Sequence, residues 1–395
     1  MATSTSIPDT TSTQASGGLL VLLTALPHEQ IESVLDTLCA SFPAEQLVIA
    51  TAEEFASDSR PDLRIVPATS KNTAWSLTAE DFVQAHELAT KHEASAVLIL
   101  GPESGSLEGK VLRNLSAAIL ESQAGLAVPH YELSPLAGLL NSAILYPLSR
   151  SLFASRVRFP LAIDLGLSLP MLERLAMVAG RYTNLNQPGA LVWPVNEACV
   201  AGISVAEVPG GPRALPQPAQ PDLSAILPQI TGSFFADIEK KASYWQRARQ
   251  LPGARATLPL AAPAAADAAD VASMIQGFRL AYSNLLEIWS LVLPPNTLLG
   301  LKRLSLTEVS EFRMPDTLWA RVVFDFVLAY RLHTINRGHL LGALVPLYLA
   351  WVASHINIGA SGVDPEQHIE AVAAAFEAEK PYILSRWRWP DRFNP

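Results

Sequence analysis

From Gly18 onward, short apolar runs alternate with longer stretches in which apolar residues recur every three to four positions. The run LLVLL (19–23) predicts a buried strand. PHEQIESVLDTLCASF follows it, with Ile31, Val34, Leu35, Leu38 and Phe42 on one helical face and Pro27 near the first turn. LVIAT (47–51), RIVPA (64–68), SAVLILG (95–101) and LAVPHYE (126–132) predict further strands. Two helical patterns lie between them, TAEDFVQAHELATKH, with Thr78 as its N-cap, and SLEGKVLRNLSAAILESQ, and a third, PLAGLLNSAILYPLSRSLF, follows. Strands alternating with helices predict an α/β protein with a mainly parallel wound sheet covered on both faces.

After Gly202 the texture changes. EVPGGPRALPQPAQPD (207–222) is so rich in proline and glycine that it reads as loop. LSAILPQITGSFFADIEKKASYWQRARQ is helical in pattern, and LPGARATLPLAAPAAADAAD (251–270) reads as a second loop or linker. From Val271 on, every segment has helical spacing. DTLWARVVFDFVLAYRLH places Leu318, Val322, Phe326 and Ala329 on one stripe, and PEQHIEAVAAAFEAEKPYILSRW reads as a last helix bent at Pro381. The expected organisation is a polar tail (1–17), an α/β domain (18–222), a helical segment (223–250), a linker (251–270) and a helical C-terminal domain (271–395). The apolar run LLGALVPLYLAWVA, Leu340 to Ala353, falls short of the roughly 20 residues that span a bilayer, contains Pro346, and reads as a buried helix.

Composition narrows the function classes. With 49% hydrophobic and 16% charged residues, the 395-residue chain has the make-up of a packed globular protein of two or three domains. A net charge of −9 disfavours nucleic acid as a partner. Two cysteines, Cys39 and Cys199, exclude a disulfide framework or a cysteine-based zinc site, and Cys39 continues the apolar face of Leu35 and Leu38. The tail has no basic region of the secretory kind, and the cytoplasm is the expected compartment.

In open α/β sheets, ligands bind beyond the carboxyl ends of the strands. The first such end, TALPHEQ, lacks the glycine-rich turn of a dinucleotide site or a P-loop. The second, GPESGS, offers only Glu103 where a hard divalent cation needs several oxygen ligands; Glu103 is a candidate metal ligand or an exposed loop acid. The third, YPLSRSLFASRVRFPLAIDLGLS, places Arg150, Arg156 and Arg158 ahead of Asp164. Guanidinium groups bind a diphosphate in a forked geometry, and they also suit the C-terminal end of a helix. Asp164 lies between Ile163 and Leu165, so it reads as a buried acid in need of a partner, with Arg156 or Arg158 as the expected one. The tryptophan–arginine mixtures YWQRAR and RWRWPDRF read as packing or as stacking surfaces for a ligand, and His130 and His339 as structural.

The block GLAVPHYELSPLAGLLNSAILYPLSRSLFASRVRFPLAIDLGLS resembles bacterial GT-A-type glycosyltransferases, the group that includes mannosylglycerate and glucosylphosphoglycerate synthase-like enzymes. The residues that carry the match are Pro129, Tyr131, Asn141, Ser142, Tyr146, Pro147, Arg150, Arg158, Pro160, Asp164, Gly166 and Ser168. Weaker similarity continues through GALVWPVNEACVAGISVAEV, FFADIEKKASYWQRAR and the helical end. The resemblance implies a GT-A-like sheet domain, a nucleoside diphosphate sugar as partner, and Asp164 as the catalytic acid that orients sugar or acceptor hydroxyls. It also implies Arg150, Arg156 and Arg158 on the diphosphate, and Tyr131, Asn141 and Trp193 at the substrate.

Four departures stand beside these matches. The family's D-x-D pair is absent from GPES, so a Mg²⁺ or Mn²⁺ ion lacks its usual ligands. The glycine pair before the acid is Ala162-Ile163. A later acid is Leu191, next to Trp193, and a histidine after the following strand has no counterpart in SVAEVPGGPR. Two readings stay open: transfer of a hexosyl group to an unknown acceptor, with arginines meeting the leaving charge, or an inactive pseudo-glycosyltransferase kept for binding or as a partner subunit. The helical domain could close over the sheet or build a homo-oligomer contact.

Overall fold

The computed structural model describes residues 18–249 and 270–389, apart from positions 25, 27, 53–59, 69–75 and 214–222. The expected tail and nearly all of the expected linker lie outside the described residues.

Among the described residues seven strands form one sheet: β1 (Leu19–Leu23), β2 (Leu47–Ala52), β3 (Ile65–Ala68), β4 (Ala96–Leu100), β5 (Leu126–Glu132), β6 (Asp164–Ser168) and β7 (Val205–Pro212). Their order is β3-β2-β1-β4-β6-β5-β7. Neighbours are parallel except at β6, which runs antiparallel to both β4 and β5. β1 and β4 are buried along their whole length, as continuous apolar runs must be when both faces are covered. Leu19, Val21 and Leu23 pack under α1 (His28–Ser41) and, further along the chain, α3 (Gly109–Leu120). Leu20 and Leu22 face the opposite layer, α2 (Ala79–Lys91) and, later, α5 (Leu169–Asn184). The Thr78 amide donates to the Asp81 carboxylate at 2.8 Å, closing the first turn of α2.

One π-helical turn, Asn141–Leu145, leads into α4 (Tyr146–Phe153), and α6 spans Pro194–Ala201. Beyond β7 the elements of the described residues are helical: α7 (Leu223–Lys240), α8 (Ala242–Trp245), α9 (Val271–Asn284), α10 (Leu286–Val292), α11 (Pro295–Ser305), α12 (Asp316–Leu332), α13 (Arg337–Ala360), α14 (Pro365–Ala378) and α15 (Lys380–Arg388). The fold is thus a mainly parallel wound sheet with an all-helical C-terminal region. The expected last helix is two, α14 and α15, and Pro381 sits in the first turn of α15, where its missing N–H is harmless. By length and composition alone α13 could cross a membrane, with a mean hydropathy of 1.5 in its most apolar window, but 61% of that window is buried inside the protein. The helical core also takes in Leu139 to Phe153, Leu191 and Trp193, so the segment that carries the family resemblance is the seam between sheet and helices.

A second expectation about the elements also fails. The segment read as loop from Glu207 begins inside edge strand β7, and its continuation at 214–222 lies outside the described residues. Pro209 lacks a ladder donor, which an edge strand tolerates. The register of β7 on β5 shifts between His130 and Tyr131. Gly210 fills the shift: a Cβ there would lie 2.7 Å from the His130 carbonyl oxygen. Gly211 follows with φ at +59°, so the two glycines build a bulge.

Candidate functional site

Parallel strands β1, β4, β5 and β7 end at the same edge. β6 runs the other way, so its first residue, Asp164, starts at that edge, opposite Leu100. Its side chain is fully buried. Four donors converge on the two carboxylate oxygens. Oδ1 accepts from the Gly101 amide at 3.1 Å and from Arg213 Nη2 at 3.2 Å. Oδ2 accepts from the Tyr131 hydroxyl at 2.8 Å and from Arg213 Nε at 2.9 Å. The Arg213 fork is the bidentate arrangement that binds carboxylate most strongly. Gly101 has no substitute here, because a Cβ would fall 2.5 Å from the Ile163 carbonyl oxygen.

Arg213 is as buried as its partner, at 0% exposure for both side chains. It also donates to the carbonyl oxygens of Pro102, at 2.7 Å, and Glu103, and to Ser106 Oγ at 3.2 Å. Burial disfavours the guanidinium charge, but Asp164 outweighs that and raises its pKa. Burial, together with the Asp164 charge, lifts the Tyr131 phenol well above its ordinary value, so it stays a neutral donor. A carboxylate has about four acceptor sites. With all of them engaged, Asp164 as placed has no lone pair left for an acceptor hydroxyl.

Arg213 is the partner that sequence reasoning missed; the expected partners, Arg156 and Arg158, are elsewhere. Arg213 directly follows bulged β7, inside the stretch read as loop. Arg156 is half-buried on the connection between α4 and β6. Arg158 forks onto Glu366 at 2.9 and 3.1 Å and donates to Ser142 Oγ at 2.8 Å. Asn141 Nδ2 donates to the Arg158 carbonyl at 2.7 Å. Arg150 pairs with Glu370 at 2.5 Å and Glu377 at 2.9 Å, while the Tyr146 hydroxyl donates to Glu370 at 2.6 Å. The three glutamates recur at helical spacing along α14, and Ile369 and Ala373 pack on Tyr146 between them. Arg150 and Arg158, expected on a diphosphate, therefore tie α14 to α4 and to the connection that follows it.

Trp193, expected at the substrate, is 2% exposed; its ring packs on Phe234 at 4.4 Å and its indole N–H donates to Ser233 Oγ at 3.1 Å. Its place is in the helical core. Trp245 is likewise buried, donating to the Ile238 carbonyl at 2.9 Å and meeting Trp387 edge to face.

Glu103 precedes the short 3-10 turn Ser104–Ser106 in the left-handed backbone region, φ +60°, and its carboxylate accepts from Gln30 Nε2 at 2.9 Å. Among the described residues no three His, Cys, Asp or Glu side chains converge. The other rim acid, Asp164, is filled by a guanidinium. Mg²⁺ and Mn²⁺ take about six oxygen ligands, and the donors assembled here do not fit either ion.

Fold and rim together define an α/β protein with a mainly parallel sheet whose carboxyl edge holds a buried internal ion pair. No family model matches the chain, and no curated protein matches it. Among solved structures, it is similar to glucosyl-3-phosphoglycerate synthase from Mycobacterium tuberculosis. The complex of that enzyme with phosphoglyceric acid is 16% identical, with a TM-score of 0.39 over 56% of this chain and 79% of that one. The complex with Mn²⁺ and UDP-glucose is 14% identical, with a TM-score of 0.38 over 56% and 78%. A likeness of this size assigns neither family nor activity.

Proposed function

We propose that this is a glycosyltransferase-like protein whose sheet rim no longer transfers a sugar and whose scaffold serves as a binding or partner subunit. The motif block from Ala127 to Ser168 supports the ancestry. The observation that carries the reading is the fork of Arg213 on Asp164. Sugar transfer from a nucleoside diphosphate needs positive charge free to meet the leaving diphosphate, and an acid free to orient or deprotonate the acceptor. Here each group neutralises the other. The arginines that would reinforce the positive side, Arg150 and Arg158, face the glutamates of α14.

A second reading, metal-independent hexosyl transfer, keeps one observation in its favour. Tyr131 and Asp164 still meet at the carboxyl edge of the sheet, 2.8 Å apart. That reading requires Arg213 to leave Asp164 for the diphosphate. Calorimetric titration with UDP-, GDP- and ADP-hexoses, with and without Mn²⁺, coupled to an assay for nucleoside diphosphate release, separates the two. The first reading expects no release under any condition and no effect of Mn²⁺ on binding. Release that disappears in Asp164→Asn overturns it and establishes the second.

A further inference from the structure

A groove of about 450 Å³ runs between α11 and α12, remote in sequence from the sheet rim. That volume is in the range of small-ligand sites, roughly 300–1,000 Å³. Its charge is the reverse of the chain's. Arg303, Arg313 and Arg321 line it against one acid, Glu379, in a protein of net charge −9. Glu379 is taken by Arg321, at 2.9 and 3.1 Å. Arg303 and Arg313 form no ion pair with any described residue. The favourable end of the α11 dipole accounts for Arg303 in its last turn, but not for Arg313, which precedes α12 on a loop.

Thr297 adds a second, independent sign. It is 4% exposed and lines the groove, yet its side chain makes no hydrogen bond with another described residue. The starts of α11 and α12, which border the same space, have prolines at their N-caps and no side-chain cap. Leu304 and Leu318 give the groove an apolar floor, and Gly300 sets its depth, since a Cβ there would lie 2.9 Å from Leu318 Cδ1.

We propose that this groove binds a small phosphate-bearing metabolite, its phosphate taken by Arg303 and Arg313 with help from the Thr297 hydroxyl, and its carbon body lying over Leu304 and Leu318. Guanidinium groups suit a phosphate dianion because they donate in a planar fork and keep their charge. The inference is independent of the sheet rim and of any activity there.

The test is calorimetric titration of the full chain with glucose 6-phosphate, inorganic phosphate and glucose at constant ionic strength. One saturable site is expected for glucose 6-phosphate, at least tenfold tighter than for inorganic phosphate, with none for glucose. The double variant Arg303→Gln/Arg313→Gln should weaken it at least thirtyfold, and Thr297→Val severalfold. Lys302→Gln, on α11 but not lining the groove, should leave it unchanged. The two arginines are exposed and unpaired, so an unchanged melting temperature shows that the double variant folds. No saturable binding, or equal binding by the double variant, overturns the site. Equal affinity for inorganic phosphate and glucose 6-phosphate overturns the metabolite.

Discussion

Two clusters of arginine in this molecule look alike as composition and differ in physics. At the sheet rim and its seam, Arg213, Arg150 and Arg158 each face a carboxylate inside the protein, and the Asp164–Arg213 pair is wholly desolvated. In the groove between α11 and α12, Arg321 alone has a carboxylate partner among the described residues. The difference lies in whether the fold matches the charge: the rim guanidinium groups are neutralised from within, and those of the groove are left for the ligand proposed above. It also sets what each cluster contributes. A buried pair leaves an uncompensated charge when one member is removed, whereas a solvated arginine leaves almost nothing behind.

The largest expected effect is at the rim. Arg213→Ala should cost about 3–5 kcal/mol in urea unfolding, because Asp164 is left charged and unpaired in the interior. Arg213→Met combined with Asp164→Asn should recover most of that loss, since no buried charge then lacks a partner. Next comes the tie between α4 and α14. Arg150→Ala strands Glu370 and Glu377, which keep some contact with solvent, so the expected loss is smaller, about 2–3 kcal/mol. Hydrogen exchange should rise in α14 and leave α11 as it was.

A pH effect of about 3 kcal/mol is expected where α14 meets α13. His355 and His368 are buried with their Nδ1 atoms 2.7 Å apart, and His368 Nε2 lies 3.2 Å from Asp316. Burial, then the neighbouring His368, lowers the pKa of His355 to about 4. Between pH 6.5 and 4 the unfolded chain takes up a proton that the native His355 refuses. This stability is therefore complete above pH 6.5 and is lost as the pH falls towards 4. Asp325 works the other way. Burial raises its pKa to about 7, so its contribution is complete at low pH and is lost as the pH rises through 7. Comparing wild type with His355→Gln at each pH cancels the Asp325 part, and the variant should show the flatter profile. The smallest effect belongs to the groove: Arg303→Gln/Arg313→Gln should change stability by less than about 0.5 kcal/mol, while removing phosphate binding.

Much of the scaffold was legible in the residues. Continuous runs such as LLVLL read as buried strands, and the isolation of Asp164 between Ile163 and Leu165 announced a buried acid. What escaped was non-local. Pro209, Gly210 and Gly211 read as loop because each weakens a strand interior, and only the sheet order reveals that β7 is an edge that admits them. Arg213, at the end of that edge, is 49 positions from Asp164, and nothing in the local pattern couples the two. The glutamates of α14 share one helix face in plain sight, but their partners Arg150 and Arg158 lie more than 200 positions earlier. Arginines placed near an acid in sequence therefore suggested a diphosphate site, where the chain folds them onto acids of its own.

The closure of the rim is tested most directly by nuclear magnetic resonance of the Arg213 Nε–H, assigned by difference against Arg213→Lys. A resolved signal in slow exchange with solvent is expected, unmoved when UDP-glucose and Mn²⁺ are added together. A signal that shifts saturably with the sugar nucleotide, or exchanges as fast as an exposed arginine, would contradict the account and return Asp164 to the chemistry of transfer.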